Sequence, residues 1–347
     1  MNFFYIFLIL FILTFLLNLF LVKKELLLDS KKISKHKSFT QNRNKVSYVG
    51  GFIILISCIF FVIEKDYNFI IFSSLIFMLG IFSDLGLLES PLKRFVLQSI
   101  TIFSFLILYK TGISSTRIEF VDYFIQYKII NLLFTTFCIL IVINGSNFMD
   151  GVNTLTTGYF MLILFSLFFI ISNNQDILLN YNLIIIIIIP LLVVFIFNIF
   201  GKIYLGDNGA YLVAFIVSII LIDLSKNNIL ISPYYIANLL WYPAFENFFS
   251  IIRKAKQNKS PMGPDNEHLH QLLFVYFKSI RGLNKIFANS LTACVINLFN
   301  LVIFSFASLH YSNTKIQIVI IFISLFFYSF CYFNLKKINL RIIKKNV

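Results

Sequence analysis

The sequence predicts an all-α, polytopic integral membrane protein of about 11 transmembrane helices, with its N-terminus outside and its C-terminus in the cytosol. Three observations carry this reading. Hydrophobic residues make up 59% of the chain and charged residues 13%, at a mean hydropathy of +0.87, whereas soluble domains run near roughly 45–50% and about 25%. Apolar stretches close to the roughly 20 residues that cross a bilayer as a helix recur from one end to the other. Of the 29 Lys and Arg, only Lys65, Lys110, Arg117, Lys128, Lys226 and Lys315 fall in the loops after even-numbered spans. The rest crowd the alternate loops and the C-terminal tail, and the positive-inside bias puts that side in the cytosol.

The spans fall at 3–22, 46–63, 68–82, 95–109, 129–143, 158–172, 183–200, 210–224, 234–252, 291–310 and 316–335. They form one transmembrane domain over 1–347, with cytosolic loops near 23–45, 83–94, 144–157, 201–209 and 253–290. The first span is an uncleaved anchor: no basic segment precedes it, and Lys23-Lys24 follows it in place of a small-residue cleavage site. Between 272 and 287, Leu272, Leu273, Tyr276, Phe277, Ile280, Leu283 and Phe287 share one arc at 100° per residue, opposite Lys278, Arg281 and Lys285. That pattern fits a basic amphipathic helix at the cytosolic interface or a connector packed on the bundle. Cys58, Cys138, Cys294 and Cys331 all lie inside spans and are read as small buried hydrophobes without disulfides. The net charge of +14 suits loops against anionic headgroups, and no nucleic-acid motif accompanies it.

The chemistry-bearing residues lie between the spans. "NGSNFMDGVNTL", 144–155, reads as a polar hinge between two apolar runs. Asp207 stands in "LGDNG", where residues without Cβ let backbone N–H groups approach a phosphate and the acid can hold Mg²⁺; the alternative reading is that Asp207 or Asn208 serves as the N-cap of the next span. Asp84, in "SDLG", precedes Lys93 and Arg94, an arrangement that serves phosphate chemistry or a plain surface pair. His268 and His270, in "DNEHLHQLL" (265–273), project to opposite faces of a strand or about 200° apart on a helix, so phosphate hydrogen bonding suits them better than a shared metal.

Taken in order, "HKSFTQNRNKVSYVGG", "SDLG", "NGSNFMDGVNTL", "LGDNG" and "DNEHLHQLL" resemble the polyprenyl-phosphate N-acetylhexosamine-1-phosphate transferase family (glycosyltransferase family 4), in its simple-sugar, surface-polysaccharide-priming branch. The resemblance implies Asp84, Asp207, His268 and His270 as catalytic residues, with Asp207 the ligand of Mg²⁺, replaceable by Mn²⁺. It implies His36, Lys93, Arg94, Asn144, Asn147, Asp150, Asn153, Asn198 and Arg253 as substrate-binding. The implied substrates are a UDP-sugar and a polyprenyl phosphate, handled in the bacterial inner membrane at a cytosol-facing site, in a chain that can pair as a homodimer. This sequence departs from the family at Ser83-Asp84, where two adjacent aspartates are usual, at Asp150-Gly151-Val152-Asn153-Thr154, where Asp-Gly-x-Asp-Gly is frequent, and at Ser47, where proline is common. The competing readings are the phospho-N-acetylmuramoyl-pentapeptide transferase, whose motif has successive histidines where Leu269 intervenes here, and a secondary transporter, which would place its polar groups near the midplane.

Overall fold

The computed structural model describes residues 3–29, 46–61, 66–174, 176–179, 181–258, 260, 267–280 and 283–345. His36 and Asp265, with most of the first cytosolic loop, lie outside the described residues. The described chain is helical: α1 (Phe3–Lys24), α2 (Gly50–Phe61), α3 (Tyr67–Asp84), α4 (Pro91–Tyr109), α5 (Glu119–Ile125), α6 (Lys128–Met149), α7 (Leu155–Asn173), α8 (Tyr181–Ile199), α9 (Gly206–Asn227), α10 (Pro233–Leu239), α11 (Trp241–Lys256), α12 (Leu269–Lys278), α13 (Lys285–Leu309) and α14 (Thr314–Lys345).

Among the described residues, α1, α3, α4, α6, α7, α8, α9, α13 and α14 are long and apolar enough to cross a membrane, nine helices in all. Two predicted spans are built differently. The second is the shorter apolar helix α2, and 234–252 is divided at Leu240 into α10 and α11. Pro243 explains the division, since it has no N–H for the carbonyl of Leu239, four residues back. The Tyr159 hydroxyl donates to that carbonyl at 2.8 Å instead. Pro190 inside α8 is accommodated in the same way: the freed Ile186 carbonyl accepts from the Ser57 hydroxyl at 2.8 Å. In a bilayer each orphaned carbonyl would otherwise cost several kcal/mol.

The bundle is organised around α9, which is buried along most of its length and packs on α2, α3, α6, α7 and α10. Its N-terminal end allows unusually close neighbours. A Cβ on Gly80 of α3 would stand 2.6 Å from the Asn208 nitrogen, and one on Gly51 of α2 would stand 2.7 Å from the Gly209 nitrogen. Such approaches matter because lipid is as apolar as leucine, so packing rather than water exclusion holds membrane helices together. The outer faces of α1 and α14 instead expose large apolar side chains such as Phe4, Phe20, Phe326 and Phe330.

Three sequence expectations are corrected here. The polar stretch at 144 is not a hinge at its start: α6 runs on to Met149, because Asn144 Nδ2 and Ser146 Oγ donate to the Leu140 and Val142 carbonyls of their own helix. The single amphipathic arc of 272–287 is two helices, α12 ending at Lys278 and α13 beginning after Asn284, whose side chain accepts from Phe287 N at 2.8 Å. The apolar side of α12 packs on α13 and α14 as a connector. Of the cysteines only Cys58 is fully buried, and Cys294 is exposed, since an outward position on a membrane helix is satisfied by lipid.

Candidate active site

The start of α9 lacks a cap of its own: Leu205 precedes it with no side-chain hydrogen bond, and the chain enters through Gly206 at φ 75°, a left-handed angle that glycine adopts without strain. The missing cap comes from another helix. Asp84, the last residue of α3, accepts from Asp207 N at 2.9 Å, Asn208 N at 3.0 Å and Asn208 Nδ2 at 2.6 Å. A carboxylate at a helix N-terminus meets both the orphan N–H groups and the positive end of the dipole. Neither Asp207 nor Asn208 is therefore the N-cap.

Beside this cap lies a polar chain. Ser83 Oγ donates to Asp207 Oδ2 at 2.6 Å and accepts from Arg94 Nη1 at 2.7 Å. The same guanidinium lies 3.4 Å from Asp207 Oδ2 and 3.4 Å from the Tyr211 hydroxyl. That hydroxyl accepts from Asn147 Nδ2 at 3.1 Å. Four helices thus converge: α3 brings Ser83 and Asp84, α4 Arg94, α6 Asn147 and α9 Asp207. Ser83, where the second loop departs from the family, bridges cation and carboxylate.

A small adjoining cavity is lined by Tyr48, Asp150, Gly151, Val152, Asn153, Asn198 and Tyr204. Asp150 ends α6, its N–H reaching back to the Ser146 and Asn147 carbonyls at 3.2 Å. The true hinge follows. Thr154 holds φ 65° although it is β-branched, and it stands where the family's pattern has glycine. Its N–H donates to Asn198 Oδ1 and its carbonyl accepts from Asn297 Nδ2 at 3.1 Å. Asn198 Nδ2 in turn donates to the Ile203 carbonyl at 2.7 Å, so both ends of this amide brace the cavity wall. Asn153 lines the cavity while its N–H donates to Asn289 Oδ1 at 2.6 Å. Ser47, in place of the family's proline, donates its hydroxyl to Asn18 Oδ1 at 2.6 Å, and its carbonyl accepts from Tyr204 N at 2.9 Å, which fixes the segment carrying Tyr48.

The histidines form the third side. Because α12 begins between them, His268 is extended and His270 helical, so neither the strand nor the helix projection applies: the two rings stack at 5.6 Å with planes 8° apart. Glu246 of α11 meets His268 Nδ1 at 2.9 Å, and Phe148 packs on the His268 ring at 5.2 Å. His270 is fully buried with neither ring nitrogen hydrogen-bonded, and a Cβ on Gly151 would strike its Nε2. Burial away from water pushes its pKa down to about 3, so the ring is neutral at physiological pH.

Of the remaining expected residues, Asn144 is half-buried and bonded within α6, one turn before Asn147, and Lys93 is exposed at the start of α4. Arg253 turns the other way, its guanidinium 3.9 Å from Glu267 and over the Phe249 and Tyr332 rings on the side of α14. Its neighbour Lys254, unassigned from sequence, places its ammonium 5.9 Å from the Phe148 ring centroid. Tyr211 and Phe148 are not expected from sequence, and Glu246 is expected only as one of the acids beside the cytosolic loops that could line a cleft. An isolated acid in an apolar helix is a signal that needs a partner, and Tyr211 is four residues, one helical turn, beyond Asp207.

The atoms of Asp207 and Ser83 that could ligate a metal are oxygens only, while the buried, unbonded Asn208 Oδ1 faces Gly51 of α2. Among the described residues no three His, Cys, Asp or Glu side chains gather into a closed cage. An oxygen-only, incomplete set suits a hard divalent cation that takes one or two carboxylates and leaves other positions to water and phosphate.

The chain is 25% identical to the undecaprenyl-phosphate alpha-N-acetylglucosaminyl 1-phosphate transferase of Thermotoga maritima, over 268 residues that cover 76% of this chain and 77% of the relative. Residues 67–225 match the family described as Glycosyl transferase family 4. That stretch carries α3 to α9, and with them Ser83, Asp84, Arg94, Asn147, Asp150 and Asp207; across it, this helical, membrane-type chain is similar to glycosyl transferase family 4.

Proposed function

We propose that this protein transfers a sugar 1-phosphate, of the N-acetylhexosamine type, from a UDP-sugar to undecaprenyl phosphate. The products are UMP and an undecaprenyl-pyrophosphoryl sugar, the first lipid-linked unit of a surface polysaccharide. The observation that carries the reading is the junction of Arg94, Ser83, Asp207 and Asn147, four helix ends meeting beside the Asp150 cavity. The family match over 67–225 and the relative's name support the same chemistry.

The reaction brings two anions together. A lipid phosphate oxygen attacks the β-phosphorus of the donor, and the bond from that phosphorus to the UMP oxygen breaks. A phosphate monoester is already mostly dianionic at pH 7, so no base is required. Arg94 and Lys254 supply positive charge from either side of the α6 end. Asp84 fixes the start of α9, and through it Asp207. Asn147 and Asp150 offer hydrogen bonds to the donor's polar groups, and neutral His270 offers one ring N–H and one acceptor. Mg²⁺, held by Asp207 with the Ser83 hydroxyl alongside, would neutralise phosphate charge and align the displacement.

In this reading the site faces the cytosol across the bacterial inner membrane, with the N-terminus outside. A cysteine introduced within 23–45 or 253–290 and labelled from outside intact cells by an impermeant reagent would overturn that orientation. A transporter is disfavoured because Ser83, Asp84, Arg94, Asn147, Asp150 and Asp207 gather at helix ends and not at mid-helix. The deciding assay is UMP release by the purified protein given Mg²⁺, undecaprenyl phosphate and a panel of UDP-N-acetylhexosamines. Lipid-dependent release from at least one donor is expected, and none from any donor by folded protein sinks the proposal.

A further inference from the structure

Glu246 is an acid with 0% exposure on the buried face of α11. Burying a carboxylate costs several kcal/mol unless its oxygens are engaged, and an apolar residue of similar size would often pack as well. Both oxygens are engaged. Oε2 lies 2.9 Å from His268 Nδ1, and Oε1 accepts from Leu269 N at 3.2 Å and from the Tyr242 hydroxyl at 3.3 Å. Three donors converge on two acceptors. A glutamine offers one acceptor and would point an NH₂ at a donor, so the arrangement selects a carboxylate. One side chain therefore holds the ring of His268 and the first peptide of α12 together.

We propose that Glu246 is the positioning residue of the histidine motif, acting on the transferase reaction through His268. With Nδ1 engaged by the carboxylate, Nε2 is the ring nitrogen left for a substrate phosphate oxygen, and the Phe148 and His270 rings at 5.2 and 5.6 Å fix the plane in which it points. The Leu269 N–H bond ties that plane to the start of α12. Glu246 lies outside residues 67–225, so the family match assigns it nothing. The inference rests on the proposed transferase reading for its kinetic consequence, but not for its geometry.

The test uses the full-length purified chain and two readouts. In UMP release, Glu246→Gln is expected to lower kcat by about 10²-fold, the scale of a misoriented catalytic imidazole, with KM for the UDP-sugar within about threefold. Glu246→Asp, which keeps both oxygens, should fall between. In a His268→Asn background, Glu246→Gln should cost no more than about threefold, because residues acting as a unit are not additive. Equal losses in both backgrounds overturn the proposal. The second readout is ¹⁵N-histidine NMR, practicable because the chain has 4 His. His268 should carry a proton on Nδ1, and Glu246→Gln should move its signals while those of His310 stay. A His268 without that proton, or one that Glu246→Gln leaves unmoved, overturns the proposal even if neither variant is active. Absence of UMP release by the wild type breaks the transferase reading alone, since the NMR result stands apart from it.

Discussion

At the start of α9, the Asp84 carboxylate collects three N–H groups, and Ser83 joins Arg94 to Asp207. At the start of α12, the Glu246 carboxylate likewise collects donors from His268 and Leu269. One residue further on the likeness ends: His270 is buried with both ring nitrogens unbonded. The first region is a scaffold in which charge is matched to helix ends and removal of a group leaves a buried donor stranded, although Asn208 Oδ1 has no partner there. The second retains hydrogen-bonding capacity that folding did not use. A buried polar group without a partner is costly, and it is tolerated here beside the cavity wall at Gly151, where a ligand would meet it.

The largest expected effect breaks the scaffold at its reacting end. Asp207→Asn should lower UMP release by about 10³-fold, roughly 4 kcal/mol in barrier, with unchanged amounts of folded protein. Activity within about tenfold, at unchanged Mg²⁺ dependence, would remove Asp207 from the site. The next variant separates cap from chemistry. Asp84→Asn turns an NH₂ toward Asp207 N or Asn208 N and Nδ2, so it should lose about 1–3 kcal/mol of stability and at least about 10² in rate. Ser83→Ala leaves Arg94 3.4 Å from Asp207 and should retain activity within about tenfold. A larger loss for Ser83→Ala than for Asp84→Asn would mean that the hydroxyl does the work of the absent carboxylate.

The unfinished region is tested through pH. The folded pKa of His270, about 3, lies below its unfolded value near 6.5. Below pH 6.5 the unfolded chain takes up a proton that the folded chain refuses, so stability falls as pH falls from about 6.5 toward 3. Between pH 8 and pH 5 this amounts to about 2 kcal/mol. Emission from Trp241, the single tryptophan, can follow thermal unfolding in detergent. His270→Asn should flatten the acid slope, and an unchanged slope would place its cause elsewhere. The smallest effect concerns the hinge between the two regions. Thr154→Gly removes a side chain from a left-handed position and should raise stability by about 1 kcal/mol; a lowered melting temperature would mean that the Thr154 side chain contributes packing worth more than the strain.

Much of this was readable from residues alone. The apolar runs located the nine described helices long and apolar enough to cross a membrane, because the bilayer imposes length and composition on any span. The breaks at Pro190 and Pro243 were in the chain, but their repair by Ser57 and Tyr159 was not, since a hydroxyl on another helix has no sequence spacing to its carbonyl. The acids and histidines between spans marked helix ends that the fold brings together, as charge at a membrane boundary is rarely idle. Their division of labour was decided only in three dimensions. Asp84 caps a helix that begins 122 residues later in the chain, Arg253 turns from the site that Lys254 faces, and His268 stacks on His270 because a helix starts between them. Periodicity tells which face of one helix a residue occupies; which other helix end it meets depends on how closely glycines such as Gly51 and Gly80 let the backbones approach.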